Sequence, residues 1–368
     1  MGKSLNEIAQ QLKDNDKKIQ LIYAFNGNGK TRLSREFRSL VAPKNDVEIE
    51  GTGLENKKII YYNAFTEDLF YWDNDLANEV DLKLKIHQNS FTEWVLSDQG
   101  QDQNVISHFQ NYTSRSLTPR FNPTFTEVSF SFEQGNDDSL YNIKISKGEE
   151  SSFVWSVFYS LLDQVIDVLN ISDLNERDTE KLNDLEYVFI DDPVTSLDDN
   201  HLIQLAVDLA QLIKKSESVL KFVITTHNAI FYNVLHNEFN RKICFLLDRH
   251  EDGTFELQEK EGDSNNSFSY HLHLKKTIED AIENNQVQKY HFTLIRNLYE
   301  KTASFLGFRT WSELLPDNKE GYYNRIIQFT SHSTLAAESV AEPTPQEKQT
   351  VKFLLEHLTS NYGFWKEV

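Results

Sequence analysis

The segment IQLIYAFNGNGKTRLSREF, residues 19–37, constrains the fold most strongly. It joins a short apolar run to a turn rich in glycine and asparagine and then to a polar segment with helical character. Its stretch 24–31 fits the phosphate-loop pattern GxxxxGK(S/T), with alanine in place of the first glycine. The backbone N–H groups of such a turn bind phosphate together with the N-terminus of the helix that follows. The alternative, a strand–helix turn without a ligand, does not require the sequence GNGKT. The expected phosphate-binding residues are Asn26, Gly27, Asn28, Gly29 and Lys30, with Thr31 as a Mg²⁺ ligand.

Two carboxylates end a second apolar strand, EYVFIDD at 186–192. Asp191 suits Mg²⁺, and Asp192 can orient an attacking water, although either could instead cap a helix or lie in a surface loop. Three further short motifs occur elsewhere in the chain, and each of them alone is weak evidence for a nucleotide site. They are Ser146-Lys147-Gly148-Glu149 before a long helix, Ser196-Leu197-Asp198, and His227 at the end of VITTH.

In this order the motifs resemble an ABC-type ATPase head. The resemblance implies a site shared between two subunits, in which Ser146, Gly148 and Glu149 of one chain approach nucleotide bound to the other. It also implies nucleotide-site roles for Asn63, in YYNAF, and for Asp198 and His227. Lys147 replaces the first glycine of the usual signature, and Asp192 stands where most of the family carries glutamate. The chain lacks the long heptad region of coiled-coil chromosome and repair ATPases, and its single cysteine excludes a zinc hook.

The pattern of the chain predicts an α/β fold with two domains. Apolar runs predict strands at 19–25, 57–65, 82–87, 124–132, 141–146, 186–192, 220–228 and 241–249. Helices are expected at 151–169, as an amphipathic helix, and at 200–216. Beyond 261–270 the pattern turns helical, and 336–348 suggests a linker or surface loop. We place an ABC-type nucleotide-binding domain at 1–258 and a mostly α-helical domain at 259–368.

Composition narrows the possible partners. The chain has 368 residues, of which 39% are hydrophobic and 12% aromatic, so it can bury a sizeable core. The formal net charge is −20, so indiscriminate nucleic-acid binding by the whole protein is not expected. The charge is uneven, because residues 271–368 carry only −1.

The polar N-terminus and the lack of an apolar run of about 18 residues predict a cytoplasmic protein without a membrane segment.

The C-terminal region carries a second group of polar residues. Arg296 and Glu300 lie one helical turn apart, beside an apolar stripe at Ile295, Leu298, Thr302 and Phe305. On spacing alone they could be a surface ion pair, His332 in FTSHST a structural histidine, and EGDSNNSFSY at 261–270 a turn entering a helix.

The N-terminal segment, the GDSN-SFSY segment and the spacing of Arg296, Glu300 and His332 resemble PrrC-type anticodon nucleases nearly end to end. The resemblance implies cleavage of lysine tRNA in its anticodon loop, 5′ to the wobble base, by a triad of Arg296, Glu300 and His332. It implies anticodon recognition by Asp263, within a segment that includes Ser264, Asn265, Phe268 and Tyr270. It also implies heads that respond to ATP or GTP with Mg²⁺, dTTP as a second regulatory ligand, and a homodimer or higher homo-oligomer. The family acts against phage infection and is held latent by a type I restriction–modification complex.

The chemistry of the triad agrees with that activity. Attack by the RNA's own 2′-OH needs a base, an acid and a cation facing the phosphate, but no metal. Histidine and glutamate can share the acid–base work and arginine can grip the phosphate, although the sequence does not decide which of Glu300 and His332 is the base. The expected products carry a 2′,3′-cyclic phosphate and a 5′-OH. Lys289 and His291 are expected to help attract RNA.

Two other functions fit parts of the sequence. The chain could be a non-nucleolytic ABC-type ATPase that signals or remodels DNA in a defence or repair complex. It could also be a regulatory nucleotide-binding subunit whose tail only docks a partner. A DNA-remodelling head should present a basic surface, yet residues 1–270 carry −19, and a docking tail has no reason to bring arginine, glutamate and histidine together.

Overall fold

The computed structural model divides the chain into two compact units, Met1–Ser267 and Phe268–Val368. It describes residues 2–43, 58–63, 69–77, 80–87, 89–133, 139–193, 199–250, 252–260, 270–330 and 343–363. The division between the two units along the chain falls within 261–269, which lies outside these ranges, and the domain boundary predicted after residue 258 stays a prediction. The predicted α/β class is confirmed: a unit of sheets and helices precedes a unit that is helical in its described residues.

A six-stranded sheet forms the core of the first unit. Its strands are β1 Ile19–Tyr23, β2 Ile59–Tyr62, β8 Tyr187–Asp191, β9 Lys221–Thr226, β10 Lys242–Arg249 and β11 Phe255–Glu259. They lie in the order β11-β10-β1-β9-β8-β2. All neighbours pair in parallel except β11, which runs antiparallel along β10. Every residue of β1 and β8 is buried, as expected for parallel strands covered on both faces. Because β1, β8 and β9 are adjacent and parallel, the residues that follow them meet at one edge of the sheet.

An antiparallel sheet forms a second layer of this unit. Its strands are β3 Phe70–Asp73, β4 Lys83–Ile86, β5 Leu117–Phe121, β6 Glu127–Glu133 and β7 Ser139–Leu140. They run in the order β3-β4-β6-β5, with β7 also paired to β6. The strand predicted at 141–146 is wrong. Asn142 has a φ of +54°, which breaks the extended backbone that the alternating pattern suggested.

Helices cover both sheets of the first unit. They are α1 Leu5–Lys13, α2 Lys30–Val41, α3 Asp102–Tyr112, α4 Lys147–Asn170, α5 Asp199–Lys215 and α6 Ala229–Glu238, with short helical segments at Ser90–Thr92, Glu93–Asp98 and Leu174–Glu176. Helix α4 was expected to be amphipathic but is buried on most of its surface. Within the described ranges α4 is the one helix long and apolar enough to cross a membrane, yet 78% of its apolar window is buried inside the protein. It therefore packs as a core helix.

The second unit is helical throughout its described residues. Its elements are α7 Tyr270–Glu283, α8 Tyr290–Leu306, the 3₁₀ turn Trp311–Leu314, α9 Lys319–Thr330 and α10 Pro345–Asn361. Helix α8 lies at the centre and buries Phe292, Ile295, Leu298 and Tyr299. The predicted apolar stripe ends before Phe305, which is 89% exposed because the helix leaves the core there.

The linker predicted at 336–348 is wrong at its C-terminal end. Helix α10 begins at Pro345, where the fixed φ of proline suits the first helical position. The Thr344 side chain accepts the Glu347 N–H and the Glu347 carboxylate accepts the Thr344 N–H, which completes a capping box. The polar composition at 344–348 thus belongs to a helix start.

Candidate functional site

The phosphate loop lies between β1 and α2, as the sequence predicted. Gly27 and Gly29 each have a φ of +88°, a conformation that L side chains rarely adopt. A Cβ at Gly29 would also lie 3.0 Å from the Phe255 ring. Ala24, which replaces the first glycine of the pattern, is buried and donates its N–H to the Thr226 carbonyl at 2.9 Å. The first residue of the loop, Ala24, is therefore fixed to the end of β9 by a backbone hydrogen bond.

Lys30 occupies the first turn of α2 and is only 7% exposed. Its Nζ donates to the carbonyls of Ala24 at 3.1 Å and Phe25 at 3.3 Å, and to Asn26 Oδ1 at 3.2 Å. It also lies 3.5 Å from Asp192 Oδ2. The side chain thus folds back over the loop, where an ammonium can reach a phosphate held by the loop N–H groups.

Asp191 ends β8 and is almost fully buried. Thr225 Oγ1, from the neighbouring β9, donates to its Oδ1 at 2.6 Å, and Thr31 forms a second side-chain hydrogen bond with it. Burial raises the pKa of the Asp191 carboxyl above its ordinary value, although both hydrogen bonds oppose the rise. The structure thus brings together the two residues predicted to ligate Mg²⁺, Thr31 and Asp191.

Asp192 turns its carboxylate toward Lys30 and His227. Its φ of +53° is unusual for aspartate and reverses the backbone directly after the strand. His227 Nδ1 lies 2.6 Å from Asp192 Oδ2, and the His227 N–H donates to Asp192 Oδ1 at 3.3 Å. Burial alone would raise the pKa of Asp192, but the hydrogen bonds from His227 and the charge of Lys30 hold that pKa below its usual range. The carboxylate is therefore ionised and held at the phosphate loop.

Sequence reasoning missed two threonines and a tyrosine in this site. Thr225 donates to Asp191, and Thr226 Oγ1 lies 3.4 Å from Asp192 Oδ1. The TTH triplet after an apolar strand was the signal for both. Asn63, at the end of β2, donates to the Tyr61 hydroxyl at 2.9 Å, and that hydroxyl hydrogen-bonds Ser34 on α2. Tyr61 therefore links the end of β2 to the helix that carries Lys30.

Ser146, Gly148 and Glu149 form the N-terminus of α4. The Ser146 hydroxyl accepts the Glu149 N–H at 3.3 Å, and Glu149 Oε2 accepts the Ser146 N–H at 2.7 Å. Trp72 Nε1, from the second sheet, donates to Glu150 Oε2 at 2.9 Å. The segment is thus an exposed, capped helix start fixed to that sheet, and its contact with a second subunit stays a prediction.

The residues at the sheet edge fit Mg²⁺ and a nucleoside triphosphate. Mg²⁺ prefers oxygen ligands and keeps several waters, so the Thr31 hydroxyl and one Asp191 oxygen suffice alongside phosphate oxygens. The glycine loop offers backbone N–H groups, and Lys30 offers a cation. Among the described residues no group of three or more His, Cys, Asp or Glu side chains could hold a metal by itself.

In the second unit, Arg296 and Glu300 form an ion pair on α8. Arg296 Nε lies 2.8 Å from Glu300 Oε1, and the two side chains are 33% and 37% exposed. The opposite side of this helix packs into the core through Ile295 and Leu298. The pair is thus held on a fixed helix with both charged groups within reach of solvent. His332 lies outside the described residues, and so its place beside the pair stays a prediction.

The remaining predicted residues fall largely outside the described part of the chain. Asp198 and the recognition residues Asp263, Ser264, Asn265 and Phe268 are not described, and Tyr270 is described only as the first residue of α7. The expectation for His291 is corrected. This side chain is 1% exposed and its Nδ1 accepts the Gln288 N–H at 2.8 Å, so it is buried at the start of its helix and does not face solvent.

Comparisons with known proteins gave the following matches. A protein from Escherichia coli described as "Anticodon nuclease" is 61% identical over 391 residues, an alignment that covers 100% of this chain and 99% of that protein. No model of a protein family matches the chain. Among solved structures, an SMC head domain from Thermotoga maritima is 10% identical with a TM-score of 0.33 and covers 67% of this chain and 92% of that one. An Smc head domain with coiled coil and joint from Pyrococcus yayanosii is 13% identical with a TM-score of 0.29, and the alignment covers 44% of this chain and 27% of that one.

Proposed function

This chain belongs to the anticodon nucleases, and we propose that it cleaves lysine tRNA in the anticodon loop, 5′ of the wobble base. The identity of 61% along the whole length of an E. coli anticodon nuclease carries the proposal. It extends through both compact units, so it includes the ATPase-type head and the helical tail alike.

We assign the cleavage chemistry to Arg296, Glu300 and His332. Transfer of the phosphate to the adjacent 2′-OH needs a base for the 2′-OH proton, an acid for the leaving 5′-oxygen and a cation at the phosphate. Arg296 can hold a phosphate oxygen while its partner Glu300, 2.8 Å away, remains partly exposed to solvent. This route uses no metal at the scissile phosphate and leaves a 2′,3′-cyclic phosphate and a 5′-OH.

The nucleotide site has a separate, regulatory role in this proposal. ATP or GTP with Mg²⁺ binds at Lys30, Thr31 and Asp191, and a second chain closes the site with Ser146 and Gly148. Asp192 and His227, hydrogen-bonded to each other, orient the water that hydrolyses the nucleotide. Because bound γ-phosphate can hold such a dimer together, hydrolysis sets how long the nuclease stays in one activity state. We propose dTTP as a second regulatory ligand.

In the cell the protein acts as an antiphage toxin in the cytoplasm. A type I restriction–modification complex holds it inactive until infection. Asp263, with Ser264, Asn265, Phe268 and Tyr270, reads single-stranded anticodon bases by hydrogen bonding and stacking. The active form is a homodimer or higher homo-oligomer.

Incubation with total tRNA and nucleotide, followed by sequencing of all new RNA ends, tests the substrate assignment. The proposal predicts new ends in the anticodon loop of lysine tRNA, 5′ of the wobble base, and few elsewhere. Cuts of similar frequency in many tRNAs, or cuts outside the anticodon loop, would reject the substrate assignment.

A further inference from the structure

A cavity of about 660 Å³ opens beside Glu300 in the second unit. Its wall is built from the end of α8, the 3₁₀ turn and the start of α9, and it includes Glu300, Arg309, Trp311, Lys319, Glu320 and Tyr323. Its size lies within the range of about 300–1,000 Å³ that is common for small-molecule sites. Glu300 belongs both to this wall and to the ion pair with Arg296, so the cavity adjoins the proposed catalytic groups.

One side of the cavity is a prebuilt aromatic stack. The rings of Trp311 and Tyr323 lie 5.1 Å apart at an angle of 22°. Trp311 also contacts the buried Tyr299 ring edge-on at 6.4 Å, which anchors it to the core of the unit. Tyr323 is 39% exposed, so solvent reaches part of this platform. A base that enters the cavity can therefore extend an existing stack, and stacking on aromatic side chains is a common way to hold single-stranded bases.

The charges around the cavity favour, as a ligand, a base with one flanking phosphate over a ligand that carries several phosphates and no base. Two acids, Glu300 and Glu320, and two cations, Arg309 and Lys319, leave the wall without net charge. Lys319 Nζ already donates to the Glu313 carbonyl at 2.9 Å. Arg309 has no ion pair or side-chain hydrogen bond with any described residue, so its guanidinium can bind a phosphate oxygen. Glu320 can accept a hydrogen bond from an amino or imino group on the edge of a base.

We propose that this cavity holds the base of a nucleotide that flanks the scissile phosphate in single-stranded anticodon-loop RNA. The inference rests on the proposed function, because it takes Glu300 as the catalytic carboxylate. It adds a base-binding site built largely by residues 309–323, which are different residues from those of the recognition segment at 261–270. In this site the base extends the stack of Trp311 and Tyr323, and Arg309 binds the adjoining phosphate.

Binding of an uncleavable anticodon stem-loop to the full-length chain tests the site. The probe carries a 2′-deoxy nucleotide 5′ of the scissile phosphate, and fluorescence anisotropy reports its Kd. Tyr323→Ala should weaken binding about 5- to 150-fold, the range for loss of one stacked base, whereas Tyr323→Phe should bind as the wild type does. Phe353→Ala is the matched control, because Phe353 stacks on Tyr322 at 5.6 Å but does not line the cavity. Arg309→Ala should also weaken binding, and a Tyr323→Ala variant that binds as tightly as the wild type would overturn the proposal.

Abasic probes make the test specific for a base. Two stem-loops each lack the base on one side of the scissile phosphate. With one of them, Tyr323→Ala should cause no further loss of affinity, because the base that it contacts is already missing. Equal loss on the intact probe and on both abasic probes would overturn the proposal. Glu300→Gln separates the two inferences: normal cleavage by that variant refutes the proposed catalytic role, whereas lost cleavage together with unchanged binding by Tyr323→Ala refutes only the base site.

Discussion

The Glu300→Gln substitution tests whether Glu300 is a catalytic carboxylate or only one partner of a surface ion pair. As a structural element, the pair with Arg296 is partly exposed, spans one helical turn and has the less favourable order of arginine before glutamate. Its loss should cost at most about 0.5 kcal/mol of stability. As the acid or base of the cleavage step, the same carboxylate should contribute about 10²- to 10⁴-fold in rate. That factor corresponds to about 2.7–5.4 kcal/mol of transition-state stabilisation.

The two contributions differ enough to be measured independently. Urea unfolding gives the change in stability from the shift in midpoint at constant slope. Single-turnover cleavage of a lysine tRNA stem-loop gives the change in rate without a contribution from product release. Glu279→Gln is the matched control, because Lys275 and Glu279 form an ion pair with the same spacing, the same order and the same distance of 2.8 Å on α7. The control should change neither stability nor rate appreciably.

Two results would refute this reasoning. Cleavage by Glu300→Gln within about twofold of the wild type would leave the ion pair as a surface feature only, since general acid–base catalysis is worth far more. A loss of several kcal/mol in stability would show that Glu300 is needed for the fold, contrary to the small value expected for an exposed pair.

Three predictions concern the nucleotide site. Lys30→Ala should weaken nucleotide binding about 10- to 100-fold in calorimetry, because it removes a charged hydrogen bond to phosphate; unchanged affinity would contradict the loop assignment. Asp191→Asn should abolish the Mg²⁺ dependence of binding. Because burial raises the pKa of Asp191, its stability contribution is present below the unfolded pKa and lost as pH rises through the folded one. Thermal melts without nucleotide or Mg²⁺ test this direction. As pH rises from about 4, the ordinary pKa of aspartate, the wild type should lose stability relative to Asp191→Asn. A wild type that gains stability relative to the variant over that rise would contradict the raised pKa. Asp192→Asn should slow hydrolysis about 100-fold or more while nucleotide stays bound, and should lengthen the lifetime of the nuclease activity state; an unchanged lifetime would separate gating from hydrolysis.

The clustering of the proposed nucleotide-site residues could be predicted from sequence because these residues follow buried parallel strands. Apolar runs end at Tyr23, Asp191 and Thr226, and parallel strands place their carboxyl ends at one edge of the sheet. The glycine conformations at 27 and 29 are also local requirements of the loop. The hydrogen-bond partners of the site side chains, such as Thr225 for Asp191, could not be predicted from sequence. Each partner depends on which strands become neighbours in the sheet.

The errors have local physical causes. The alternating pattern at 141–146 predicted a strand, but Asn142 adopts a positive φ, and only Ser139–Leu140 pairs. The short strands β3 and β5 depend on pairing with β4 and β6, respectively, and they have little pattern of their own. The cavity beside Glu300 was missed because Trp311 and Tyr323 are twelve residues apart and meet only through the turn between α8 and α9.

In the proposed mechanism the RNA's own 2′-OH is the nucleophile, and no metal acts at the scissile phosphate. A lysine tRNA stem-loop with a single 2′-deoxy nucleotide immediately 5′ of the wobble nucleotide tests it, compared with the all-ribose RNA. After activation with nucleotide and Mg²⁺, EDTA is added and cleavage is followed. We expect that the ribose RNA is still cut, with 2′,3′-cyclic phosphate and 5′-OH ends, while the deoxy RNA binds but stays intact. Cleavage of the deoxy RNA, or products with 5′-phosphate ends, would contradict it.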